Sequence, residues 1–75
     1  MMEYRTSKKW ERKSPKPVIT QQENSYLVAV EDFYGRDWFN EEDAVYAAGE
    51  LDFEFDTTEE LKRLVSKGFL EKRVD

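Results

Sequence analysis

DTTEELKRLVSKGFLEKRV, residues Asp56 to Val74, reads as a capped helix, a glycine stop and the beginning of a strand. Thr57 is a good N-cap, and Glu60, three residues on, can reach back to the cap's N–H. Leu61, Leu64 and Val65 recur at helical spacing, so one side of the helix is apolar. Gly68 can take the left-handed conformation that ends a helix, and Phe69 then folds back on the last turn near Leu64. Phe69, Leu70 and the alternation after them predict a strand.

The chain around this stretch has 75 residues, enough for one small domain, and eleven of them are aromatic. Such a domain is near the lower limit for a self-sufficient core, so the rings must do much of the burying. It has no cysteine and no histidine, which removes disulfides, thiolate chemistry, the commonest metal ligand and the usual neutral-pH base. A cofactor, a structural metal or an enzymatic role is therefore not expected. No apolar run is long enough to span a bilayer and no signal peptide is evident, so the expectation is a cytoplasmic protein without a membrane partner.

The net charge is −5, and its distribution says more than the total. Residues 1–17 hold six cations against two carboxylates, while residues 18–75 hold six cations against fifteen carboxylates. A basic arm precedes an acidic body. The arm either grips a polyanion or simply solvates and screens the body. An acidic surface also suits a high-salt interior, although Glu outnumbers Asp by eleven to six and seven lysines remain.

Ser14-Pro15-Lys16-Pro17 breaks the chain, because each proline fixes its own backbone and holds its predecessor extended. This divides an arm, residues 1–17, from a domain, residues 18–75. Within the arm, Tyr4, Thr6, Lys8, Trp10 and Arg12 share one side of an extended segment, which makes Trp10 a candidate anchor. Thr20-Gln21-Gln22-Glu23 is a capping-box pattern that opens a first helix. Tyr26, Leu27, Val30, Phe33 and Tyr34 form its apolar stripe, and Gly35 ends it. Asn40 caps a second helix to Leu51, with Glu41, Glu42 and Asp43 in the first turn where the helix dipole favours anions. Ala44, Val45, Ala48 and Leu51 are expected to face inward there, and Phe53 and Phe55 to plug the core beneath the connection to the third helix.

This order, with Leu-x-x-Leu-Val, then Lys-Gly-Phe-Leu, then a strand, resembles the third helix and first wing strand of winged helix-turn-helix domains. The resemblance covers roughly residues 20–74, with Trp38 and Phe39 at the short first strand and Thr57 to Lys67 as the recognition helix. It implies a mainly α, three-helix winged-helix-like domain with a small β element. The wing's return strand is missing, and Lys8 to Lys13 of the arm is long enough to pair with Phe69 to Arg73 in its place.

The resemblance also implies a DNA-binding transcriptional regulator whose third helix lies in the major groove. Thr58, Lys62, Arg63, Ser66 and Lys67 would then face the duplex, and Lys72 and Arg73 would meet the flanking backbone. Arg5, Lys8, Lys9, Arg12 and Lys13 of the arm would track a groove or the phosphates. The plainer reading of the same helix is a solvated face, with Glu59 paired to Arg63 and Glu60 near Lys62 or Arg63. Because the body is acidic, a protein-interaction module (an adaptor or a DNA mimic) is the alternative partner class. With no extra helix for an interface, the chain is expected to be a monomer, or a weak homodimer through an exposed sheet edge or the Tyr26–Tyr34 helix. The acids of the second helix lack the spacing of a calcium loop, and capping explains them.

Overall fold

Met2–Thr6, the segment read as an arm, forms the central strand of the sheet. The computed structural model describes residues 2–12, 19–51 and 56–74. The elements run β1 (Met2–Thr6), α1 (Gln21–Tyr34), β2 (Phe39–Asn40), α2 (Glu41–Ala48), α3 (Thr57–Lys67) and β3 (Leu70–Val74). Both sheet pairings are antiparallel, in the order β2-β1-β3. The expectation of a mainly α domain is overturned: 52% of the described residues are helical and 19% lie in a three-stranded sheet, a small α/β arrangement. Local periodicity could not reveal this, because the pairing joins residues about seventy positions apart.

The arm does pair with the C-terminal strand, but five or six residues earlier than expected. Glu3 lies opposite Arg73, Arg5 opposite Glu71 and Thr6 opposite Leu70. Alternation along Met2–Thr6 then turns Tyr4 and Thr6 into the core and leaves Glu3 and Arg5 on the outer face. Beyond the strand the chain turns so that Trp10 is fully buried, with its Nε1–H donated to Asn24 Oδ1 at 3.0 Å. Residues 2–12 are thus part of the body rather than an appendage to it.

Caps account for where the helices begin. Thr20 and Glu23 form the expected capping box on α1, and Asn40 and Asp43 form one on α2. On α3 the cap is Asp56, whose side chain accepts from the Glu59 N–H, and not Thr57. Asp and Thr both cap well, and the earlier residue adds one residue to the helix and frees Glu60 to turn inward. Gly68 is left-handed at φ 85°, and the N–H groups of Gly68 and Phe69 close the last turn onto Val65 and Leu64.

The core gathers Tyr4, Trp10, Tyr26, Leu27, Val30, Phe39, Leu61, Leu64, Phe69 and Leu70 around the three alanines Ala44, Ala47 and Ala48. Three inward expectations need correction. Phe33 is 43% exposed, because it sits on the margin of the α1 stripe and the eight-residue α2 is too short to cover it. Val45 is 58% exposed, since α2 turns its small face inward and Ala47 takes the place expected for Val45. That face lets α1 approach closely enough for the Tyr26 hydroxyl to donate to the Ala44 carbonyl at 3.1 Å. Helix α2 also ends at Ala48, so Leu51 lies beyond it and is only half-buried. Phe53 and Phe55 lie outside the described residues. No helix among the described residues is long and apolar enough to cross a membrane.

Candidate nucleic-acid interface

Helix α3 packs its Leu61–Leu64 side on the core and leaves Thr58, Glu59, Lys62, Arg63 and Ser66 exposed. Between this helix and β3 runs a groove of about 250 Å³ lined by Tyr4, Lys62, Val65, Ser66 and Lys72. Tyr4 and Val65 give it apolar surface, and Lys62, Lys72 and Ser66 bring two ammonium groups and a hydroxyl. Burial, and then the neighbouring Glu41, raises the pKa of Tyr4, so its phenol stays neutral at physiological pH. Tyr4 and Val65 were not among the expected site residues. The alternation in Met2–Thr6 is the signal that places Tyr4 on the helix side of the sheet.

The structure brings together Lys62, Ser66 and Lys72 of the expected residues, with Thr58 and Arg63 on the adjoining helix face. Lys62 is only loosely held, 3.7 Å from Glu59. Arg63 is 2.7 Å from Glu60, whose carboxylate is almost completely buried, and this hydrogen bond raises the guanidinium's pKa further. Glu60 Oε1 has no hydrogen-bond partner among the described residues, so Arg63 is what partners that carboxylate.

The remaining expected residues are employed elsewhere. Lys67 turns inward and holds buried Glu23 at 2.7 and 3.0 Å. Burial alone would raise the pKa of Glu23, but Lys67 and Thr20 together outweigh it and hold the carboxyl below its ordinary value. Arg5 and Arg73 lie on the outer face of the sheet, in ion pairs with Glu71 and Glu3. Their guanidinium carbons stand 4.6 and 4.3 Å from the centre of the Trp38 ring, a double cation–π contact. Lys8 borders the same face beside Arg5 and Glu71. Lys9 reaches the C-terminus of α3, where its Nζ donates to the Lys67 carbonyl at 2.9 Å. Arg12 is held by Asp32 at 2.7 Å and Glu31 at 3.1 Å. Lys13 lies outside the described residues. The expectation of a free basic arm tracking a groove is therefore corrected, since most of its described cations have internal partners.

Among the described residues no group of three or more acidic side chains is placed to hold a metal ion. No known family model, curated protein sequence or solved structure matches this chain.

Proposed function

We propose that the protein binds duplex DNA as a transcriptional regulator, through the exposed side of α3 and the groove where α3 meets β3. The observation that carries this reading is the meeting of Lys62, Ser66 and Lys72 at one groove, on the half of the molecule that holds nine of the ten described cations. The ammonium groups neutralise phosphates, and the Ser66 hydroxyl donates to a phosphate or a base edge. Glu59 faces the same side from the first turn, so the helix approaches with its middle and last turns. Lys9, held at the C-terminal end of α3, adds charge at one flank, while Arg5, Lys8 and Arg12 lie away from the groove.

Titration of a labelled duplex across a salt series tests the reading. Three or four phosphate contacts give a slope of log affinity against log salt of about −3. Lys72→Ala flattens it by about one and weakens all sequences alike, whereas Lys62→Ala shifts preference among sequences. Lys62 is the cleaner probe, because Arg63→Ala would also strip Glu60 of its partner. Absence of binding at low salt would sink the DNA reading. It would favour a second one, a protein-interaction module, for which the exposed Phe33, Val45 and Tyr46 on the acidic half speak.

A further inference from the structure

In the strand order β2-β1-β3, β3 is an edge among the described residues, and its sequence Leu-Glu-Lys-Arg-Val is complementary to itself when read antiparallel. We infer that two copies of the chain associate through this edge in one register, with Lys72 facing the partner's Lys72 across a two-fold axis.

The backbone allows only certain registers. The Ser7 N–H donates to the Phe69 carbonyl at 2.9 Å, so that rung is hydrogen-bonded and the rungs alternate from there. Glu71 and Arg73 therefore direct their N–H and C=O groups toward β1, while those of Leu70, Lys72 and Val74 point to the open edge. A second β3 can pair only with even-numbered residues opposite even-numbered ones. Shifting the pairing by two residues to either side would set Glu71 against the partner's Glu71, or Arg73 against the partner's Arg73, and both repel. The register centred on Lys72 sets Glu71 against the partner's Arg73 and Arg73 against the partner's Glu71.

That register also extends a pattern already present within the chain. Arg5 pairs with Glu71 and Glu3 with Arg73 on the outer face. Across the two-fold axis the row becomes Arg5, Glu71, the partner's Arg73 and the partner's Glu3, with signs alternating across four strands. On the inner face Val74, 78% exposed, meets the partner's Leu70. The lysine pair on the axis is the one unfavourable rung, and the ammonium groups can diverge into solvent. A charged edge ordinarily repels other strands; here the order of the charges rejects a strand of arbitrary sequence and accepts a second copy. The inference does not rest on the DNA reading, although it sets Lys72, a residue of that groove, on the dimer axis.

Sedimentation velocity of the full chain, together with single-cysteine variants oxidised with diamide, tests it in a protein that has no cysteine of its own. The weight-average mass should rise with concentration toward twice that of one chain. Lys72→Cys should crosslink to a dimer, and Glu71→Cys and Arg73→Cys should not, because only residue 72 meets itself within disulfide reach. Lys72→Pro removes an N–H that points away from β1, so it should weaken association about tenfold or more with the circular dichroism unchanged. If that variant fails to fold, the crosslinking pattern decides. A chain that stays monomeric at millimolar concentration, or that crosslinks as readily through Glu71→Cys or Arg73→Cys, would overturn the inference.

Discussion

The half of the molecule formed by α1, β2 and α2 and the half formed by β1, α3 and β3 are built on opposite electrostatic plans. Described residues 19–51 hold eight carboxylates and one cation, Arg36, whereas residues 2–12 and 56–74 hold nine cations and six carboxylates. Four of the acidic half's eight carboxylates, Glu23, Glu41, Glu42 and Asp43, stand in the first turns of α1 and α2, and Asp43 completes the capping box with Asn40. The basic half spends several of its cations on the seam: Lys67 reaches Glu23, and Arg12 reaches Glu31 and Asp32. Net charge alone would class this chain as one that repels a polyanion. Its arrangement nevertheless sets Lys62 and Lys72 together at one groove, on the half that holds six of the fourteen described carboxylates.

Breaking the anchorage of the basic half should have the largest effect. Trp10→Ala should cost about 3–5 kcal/mol, and Leu64→Ala about 2–5 kcal/mol, in urea unfolding. A cost near zero at Trp10 would return residues 2–12 to the status of a tail. The seam comes next. Lys67→Met leaves Glu23 buried without its cation and should cost about 1.5–3 kcal/mol at pH 7. Because the folded pKa of Glu23 is depressed, the pair's contribution is complete above the ordinary carboxylate pKa of 4.5. It is lost as pH falls through the folded value. The wild type should therefore lose stability on acidification more steeply than Lys67→Met, and parallel acid limbs would argue against the link between the halves.

Smaller still is the turn that aims β3 at the groove. Gly68→Ala forces a side chain into the left-handed region and brings its Cβ within 3.3 Å of the Lys9 side chain. A loss of about 1–2 kcal/mol is expected, read as a lowered melting temperature. On the acidic half, Tyr46→Ala should change stability by no more than about 0.5 kcal/mol, since the ring is 61% exposed and packs edge-on against Phe33. A larger loss there would mean that the acidic half depends on its surface rings as the basic half depends on Trp10.

Local chemistry carried far in this chain. The capping box at Thr20, the cap at Asn40, the left-handed stop at Gly68 and the Leu61–Leu64 side of α3 follow from residues a few positions apart, and they stand as read. The candidate groove was half legible. Lys62, Ser66 and Lys72 could be named from helical and strand spacing, but spacing assigned Tyr4 and Val65 to apolar faces and not to a groove between those faces. Packing decided the remainder, because it depends on which distant segments meet. The strand Met2–Thr6 is short and half charged, and it becomes the centre of a sheet only when β2 and β3 satisfy its two edges. Lys67 looks outward on a helical projection, and it turns inward because Glu23, forty-four residues earlier, is buried within reach. Charge pairing over such distances has no signature in local periodicity, so composition showed how many cations this protein has, and only the fold showed which of them remain available to a partner.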